Sequence, residues 1–102
     1  MKIVAFVPDL MDRSRLATAL SGVEFAANTS DAADADVIVV DLARHPDAIG
    51  SVRESAPTAR IVAFGPHVDD AALDRARSQG ADLVIARSRF FRDPMAAVAP
   101  PD

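Results

Sequence analysis

The sequence predicts a small doubly wound α/β domain built on a parallel sheet of five strands. Four short apolar runs support this prediction, at residues 3–7, 37–40, 61–64 and 83–86. Each is rich in aliphatic residues and shows no polar alternation, which is typical of strands buried on both faces. Segments with helical spacing separate the runs, and strands that alternate with helices form parallel sheets through right-handed crossovers.

The first 35 residues predict two strands and two helices. Asp9 is a suitable N-cap for a helix after the first strand, and Gly22 is placed to end that helix. Residues 23–27 predict a short edge strand, and residues 30–35 predict a helix of little more than one turn. Three residues are expected on the inner face of the first helix: Leu16, Ala17 and Leu20.

The rest of the chain predicts three further helices. One begins at residues 45–47, with proline in its first turn, and cannot continue past Pro57. The next extends over residues 69–80, with acids at its positive end. The last begins at residues 93–94 and ends at residues 100–101 after about two turns. The second helix of the chain, at residues 30–35, and this last helix are therefore both predicted to be short. The inward-facing residues are expected to be Ile49, Val52, Leu73 and Ala76.

Chain length and topology set the expected domain. The chain has 102 residues, which suits one domain with one core. We expect residues 1–99 to form it and residues 100–102 to be a disordered tail. For five such strands, the flavodoxin-like order 2-1-3-4-5 is expected, with functional groups at the carboxyl ends of the strands. Asp41 directly follows one apolar run and so lies at that edge.

Composition disfavours several classes of function. The net charge is −4, and Tyr and Trp are absent, so we expect no nucleic-acid binding. The absence of Cys excludes disulfides and thiolate metal sites. The first apolar run is too short for a signal or membrane segment, so we expect a cytoplasmic protein without membrane contact. No phosphate loop, dinucleotide fingerprint or nucleophile elbow is present, so we expect no enzymatic activity.

Two segments resemble the receiver (CheY-like) domains of two-component response regulators. Residues 35–42, Ala-Asp-Val-Ile-Val-Val-Asp-Leu, resemble the third receiver strand, which ends in the phospho-acceptor aspartate, here Asp41. Residues 80–88 are similar to the segment in which receivers have Gly-Ala-Asp and, seven residues after the Gly, a lysine followed by proline. Residues 2–7 are similar to the first receiver strand. The resemblance covers nearly the whole chain and implies a CheY-like fold.

The resemblance breaks where receivers hold magnesium. Receivers have two acids after the first strand, but Val7 and Pro8 take those positions here and Asp9 lies one residue late. Magnesium prefers oxygen ligands in octahedral geometry and binds weakly without them, so we expect no cofactor. The alternative is an active receiver, which a one-residue slip in the alignment would permit. Asp9 and Asp41 would then hold Mg²⁺, and Asp41 would accept the phosphoryl group.

The residues that respond to phosphorylation are also replaced. Gly65 stands where receivers have Ser or Thr, and Arg87 and Ser88 stand where they have lysine and proline. The resemblance therefore implies a pseudo-receiver, a non-catalytic regulatory module that acts through protein contacts. We further expect the Arg87 guanidinium to bind the Asp41 carboxylate across the strand edge. A flavodoxin-like domain that binds a small ligand at this edge is a further alternative.

At several positions, a purely structural interpretation competes with the functional one. Asp41 is about as well explained as the cap of a turn, and Asp9 is better explained as an N-cap than as a metal ligand. His45 and His67 would follow neighbouring strands, but two histidines without motif spacing are weak evidence for a metal. The arginines after the last apolar run predict either a solvated loop or a site for an acidic partner.

The end of the chain predicts a contact surface. Two adjacent phenylalanines cannot easily both enter one core, so one of them is expected to be exposed. The short last helix is expected to leave an apolar patch uncovered, on the face that receivers use for dimerisation and output. We therefore expect a protein partner, with a homodimer favoured. The residues of this surface are Arg89, Phe90, Phe91, Met95 and Val98.

Overall fold

The computed structural model describes residues 1–66 and 70–100, which contain a five-stranded sheet of order β2-β1-β3-β4-β5. All four strand pairs are parallel. The strands are β1 (Ile3–Phe6), β2 (Glu24–Phe25), β3 (Val37–Asp41), β4 (Arg60–Gly65) and β5 (Leu83–Ala86). The predicted fold class and strand order are thus confirmed.

Five α-helices and one 3₁₀ helix surround the sheet in the described part of the chain. The α-helices are α1 (Leu10–Ala19), α2 (Ala48–Ser55), α3 (Asp70–Ser78), α4 (Arg87–Arg92) and α5 (Pro94–Val98), and the 3₁₀ helix is Thr29–Ala32. None of the helices within these residues has the length and apolarity needed to cross a bilayer.

The sheet separates two apolar clusters because alternate residues of a strand point to opposite faces. Ile38 and Val40 of β3 pack with residues of α2, α3 and the 3₁₀ helix. Val37 and Val39 pack on the other face with residues of α1, α4 and α5. Both central strands, β3 and β4, are almost entirely buried, as their unbroken apolar sequences predict.

Several predicted elements are shorter or begin later than expected. β2 spans Glu24–Phe25 only, and the helix predicted at residues 30–35 is the 3₁₀ helix. α2 begins at Ala48, because the chain first makes a turn in which the His45 N–H donates to the carbonyl of Asp41 (2.8 Å). The predicted start of α3 at Asp69 lies outside the described residues, as do residues 101–102. The domain limits and the disordered tail stay predictions.

The inner faces of the helices are mostly as predicted. Leu16 and Leu20 are buried, whereas Ala17 is exposed, because it lies on the solvent side of α1. Ile49, Val52, Leu73 and Ala76 are all buried. Gly22 follows the end of α1 with a φ of 80°, a conformation that glycine adopts readily.

The segment after β5 differs most from the prediction. Arg87 begins an additional helix, α4, directly after the strand, where a loop was considered. The predicted last helix is α5, which begins at Pro94 with Asp93 as its N-cap and ends at Val98. Asp93 separates α4 and α5 with φ −155° and ψ 81°. The residue before a proline is sterically disfavoured in the helical region, so Pro94 accounts for the break. Asp93 then caps α5 by accepting the Ala96 N–H at 3.2 Å.

Candidate functional site

The parallel strands bring the chemical residues to one edge of the sheet. β3 ends at Asp41 and β4 ends at Gly65. Arg87 follows the end of β5 and Asp9 precedes α1. The structure therefore gathers these four predicted residues at the carboxyl edge, as parallel topology requires.

Asp41 is buried, with 3% of its surface exposed. Its Oδ1 accepts the backbone N–H of Ala43 at 3.0 Å. Its backbone carbonyl accepts the N–H groups of Arg44 and His45 at 3.3 and 2.8 Å. Such contacts between an aspartate and the residues that follow it stabilise a turn, so the turn-capping interpretation agrees with the observed contacts.

Asp9 is the N-cap of α1, as predicted. Its Oδ1 accepts the backbone N–H of Asp12 at 3.0 Å. This hydrogen bond, followed by one from the Met11 N–H and by the charges of Arg44 and Arg87, lowers the pKa of the Asp9 carboxyl. The carboxylate therefore satisfies helix N–H groups that would otherwise lack partners.

Arg87 binds Asp12, and the predicted pair with Asp41 is wrong. Nη1 of Arg87 donates to Oδ2 of Asp12 at 2.8 Å, and Nη2 donates to Oδ1. The Asp12 side chain is 4% exposed and that of Arg87 is 43% exposed. Asp12 offers both carboxylate oxygens to the planar guanidinium, whereas one oxygen of Asp41 already accepts the Ala43 N–H.

The Arg87 charge nevertheless lies within the field of three carboxylates. The hydrogen bonds to Asp12 raise the pKa of the Arg87 guanidinium most, and the charges of Asp12, Asp41 and Asp9 add to that effect against the burial of the group. Arg87 is thus a counter-charge shared by these three carboxylates, although it forms its hydrogen bonds with Asp12.

Aromatic rings hold Arg87 from a second side. Its guanidinium carbon lies 4.8 Å from the centroid of the Phe91 ring and 5.8 Å from that of Phe64. Arg15 of α1 also lies over Phe91, at 5.6 Å. Both distances to Phe91 are within the range of cation–π attraction. The Phe91 ring therefore joins α1 to α4 beside the ion pair.

Phe90 and Phe91 both pack against Phe64, contrary to the expectation that one of them is exposed. The Phe90 ring stacks on Phe64 at 4.7 Å, and the Phe91 ring meets both others edge-on, at 5.1 and 5.2 Å. Successive residues of a helix differ in direction by about 100°, so Phe90 faces the sheet and Phe91 faces α1. Phe90 is fully buried and Phe91 half-buried.

The predicted contact surface is therefore smaller than expected. Phe90 and Val98 are fully buried in the cluster beneath α4 and α5, so they cannot contact a partner. Arg89 is exposed and Met95 is 56% exposed. These two residues, with part of Phe91, remain as candidates for such a surface.

Gly65 leaves the end of β4 without a hydroxyl group. It is buried, and a Cβ atom at this position would lie 3.4 Å from Cβ of Leu42 and 3.4 Å from Cδ2 of Leu73. The neighbouring leucines therefore fill the space beside the backbone, at the limit of van der Waals contact.

The sequence analysis missed Asp12. A signal for it exists, because Asp12 is spaced by four residues from Leu16 and by eight from Leu20, which places a charge on the buried face of α1. A charged residue on an apolar face requires a partner. That partner, Arg87, is 75 residues away in the sequence.

Within residues 1–66 and 70–100, no cluster of three or more His, Cys, Asp or Glu is arranged to hold a metal ion. His45 is half-buried and meets the Phe6 ring edge-on at 6.4 Å. His67, its proposed companion, lies outside the described residues.

Comparisons with known proteins identify the fold. No family model matches the sequence, and a search of curated proteins also finds no match. Among solved structures, the chain superposes on a response regulator protein from Burkholderia pseudomallei with a TM-score of 0.81 and 21% identity. That structure contains a phosphorylated aspartic acid, a calcium ion and citrate. The chain has the fold of a receiver domain.

The match covers 96% of this chain and 66% of the B. pseudomallei response regulator. A pilus assembly-related protein from B. pseudomallei K96243 matches with a TM-score of 0.70 and 15% identity, over 100% of this chain and 94% of that one. The CheY-like protein tadZ from Pseudomonas aeruginosa PAO1 matches with a TM-score of 0.69 and 19% identity, over 86% and 87% of the two chains. At these identities the similarity establishes the CheY-like fold.

Proposed function

We propose that this chain is a receiver-like regulatory module that acts in the cytoplasm through protein contacts without phosphorylation of Asp41. The bidentate ion pair between Arg87 and Asp12 is the observation that supports this proposal most. A receiver-type fold in a pilus assembly-related protein is consistent with a role in protein contacts.

The ion pair removes the cation that a phosphoryl group would need. A phosphoryl group on Asp41 would add negative charge to an edge where Arg87 already faces three carboxylates. To bind that group, Arg87 would have to leave Asp12. The Asp12 carboxylate would then remain buried without a partner, which is strongly unfavourable. The ion pair therefore stabilises one state of the edge.

The described residues at the edge are not arranged to hold a resident magnesium ion. Oδ1 of Asp9 accepts a helix N–H, and Oδ1 of Asp41 accepts the Ala43 N–H. Both oxygens of Asp12 bind Arg87. Magnesium requires several oxygen ligands at near-octahedral positions, and no group of three such side chains is present in the described residues.

Gly65 supports the same proposal from the neighbouring strand. In the receivers that this chain resembles, a residue with a hydroxyl group ends the fourth strand. Gly65 takes that position here and has no side chain that could hydrogen-bond to a phosphoryl group. The position lies directly beside Asp41, because Asp41 pairs with Phe64 in the sheet register. A modification of Asp41 would therefore find the Arg87 guanidinium already bound to Asp12 and no side-chain hydroxyl at the neighbouring Gly65.

An active phospho-acceptor is the second candidate. Asp41 lies at the end of β3, and the response regulator from B. pseudomallei contains a phosphorylated aspartic acid. In this case Asp41 would accept a phosphoryl group, and the ion pair of Arg87 would have to open.

Phosphorylation can be tested directly by mass. The protein is incubated with acetyl phosphate and Mg²⁺, and its intact mass is measured, with an active receiver domain as positive control and Asp41→Asn as negative control. We expect no phosphoryl adduct on the native chain. An adduct that forms in high yield and disappears in Asp41→Asn would establish the second candidate instead.

A further inference from the structure

We propose that a groove beside the edge strand β5 binds a short acidic segment of a partner protein that inserts an aliphatic side chain. This inference rests on the proposed role in protein contacts and specifies the chemistry of the partner. Its evidence is the shape of the groove and the charges on its rim.

The break between α4 and α5 creates the groove. Because α4 ends at Arg92 and α5 begins at Pro94, the two short helices cover β5 incompletely. Leu83 and Ile85 are only partly buried, and they line a concavity of about 310 Å³ together with Ala96 and Ala97. The groove thus has an apolar floor at the edge of the sheet.

Two arginines give the groove a positive rim. Arg89 and Arg92 line it, and residues three apart on a helix are neighbours on its surface. Both are exposed, and neither forms an ion pair within the described part of the chain. Asp93 also lines the groove, but its carboxylate caps α5 through the Ala96 N–H. Free positive charge beside an apolar floor favours an acidic partner.

The groove favours insertion of side chains over addition of a strand. Nη2 of Arg77 donates to the carbonyl of Val84 at 3.3 Å, so a backbone acceptor of β5 already has a partner. A charged side chain from a helix that covers a sheet edge opposes pairing with another strand. The volume is near the lower limit of small-ligand pockets, which is about 300 Å³, so it suits one or two side chains.

Peptide binding tests the proposal on the whole chain. The probe is a fluorescein-labelled hexapeptide, Glu-Glu-Leu-Leu-Glu-Glu, and the matched probes replace its glutamates by lysines or its leucines by serines. Binding is measured by fluorescence polarisation and located by backbone amide shifts of the isotope-labelled protein. We expect the acidic leucine peptide to shift Leu83, Ile85, Arg89 and Ala96, and both matched probes to bind more weakly.

Charge reversal provides the control at the level of the protein. The double variant Arg89→Glu and Arg92→Glu is expected to weaken binding at least about tenfold at low salt, since two rim charges change sign. Arg75→Glu reverses an exposed arginine of α3 and is expected to leave the affinity unchanged. Far-UV circular dichroism verifies that each variant is folded.

Three outcomes would overturn the proposal. They are absence of shifts at the groove, equal binding of the lysine peptide, and a dimer whose formation closes the groove against the peptide. None depends on phosphorylation of Asp41, so a failure here is separate from a failure of the proposed function, which the acetyl phosphate experiment measures.

Discussion

Replacing Arg87 by methionine is expected to destabilise the fold more than replacing Asp12 by alanine. Both changes break the same ion pair, but they leave different groups behind. Arg87→Met leaves a carboxylate with a side chain that is only 4% exposed, whereas Asp12→Ala leaves a guanidinium that is 43% exposed. Water solvates the exposed guanidinium well and the buried carboxylate poorly, so the two variants should lose different amounts of stability.

The burial of the two groups sets the magnitudes. Removing one partner of a buried ion pair costs about 3–5 kcal/mol, and this pair is buried on one side only. We therefore expect a loss of about 2–4 kcal/mol in the free energy of unfolding for Arg87→Met. Asp12→Ala should lose about 1–2 kcal/mol, between the values for charged and for exposed contacts.

Urea unfolding followed by far-UV circular dichroism measures both losses, because the chain has neither Trp nor Tyr for fluorescence. Arg75→Met is the matched control. Its exposed ion pair with Asp47, at 3.6 Å, should contribute no more than about 0.5 kcal/mol.

The reasoning is refuted if Asp12→Ala costs as much as Arg87→Met, or if both resemble the Arg75→Met control. Either result would mean that the pair is solvated in solution. The ion pair would then offer no barrier to movement of Arg87 toward Asp41.

Three further changes test the surroundings of the pair. Asp9→Ala should lower the melting temperature, whereas Asp9→Asn should retain most of it. Because the fold lowers the pKa of Asp9, the stabilisation from its charge is full above the unfolded pKa of about 3.9. That stabilisation is lost as the pH falls through the folded pKa. Calorimetry at two pH values checks the sign, which would be wrong if the difference in melting temperature between the native chain and Asp9→Asn grew in acid. Phe91→Ala should cost about 1–3 kcal/mol, since the ring is half-buried and contacts two guanidinium groups, whereas exposed Arg92→Ala should change the urea midpoint little. Gly65→Ser should fold with a change below about 1 kcal/mol, because its Cβ meets Leu42 at 3.4 Å; a larger loss in urea unfolding would show that the leucines cannot yield.

The sheet could be predicted because its signals are local. Strands buried on both faces leave unbroken apolar runs, and proline and glycine mark where the intervening helices begin or end. The lengths of β2 and the 3₁₀ helix differ from the prediction, since neither segment has a strong hydrophobic pattern. The break at Asp93 was foreseeable from Pro94, but the helical path of residues 87–92 depends on packing against the sheet.

The sequence predicts which residues lie at the carboxyl edge of the sheet, but it does not predict the contacts between their side chains. Topology alone brings Asp41, Gly65 and Arg87 together, and the cap at Asp9 follows from local sequence. The partner of Arg87 depends on how α1 and α4 meet. The charge of Asp12 on the buried face of α1 indicated that a partner was needed, but the sequence could not show which cation would reach it.

The most direct test of the central claim is a backbone amide NMR titration with Mg²⁺ and then beryllofluoride, a mimic of the aspartyl phosphate. An active receiver domain titrated in parallel serves as positive control. The ion pair between Arg87 and Asp12, with Gly65 at the end of β4, predicts unchanged resonances at the carboxyl edge. Shifts centred on Asp41, Gly65 and Arg87 that saturate with beryllofluoride would show that the switch operates and would contradict the proposed function.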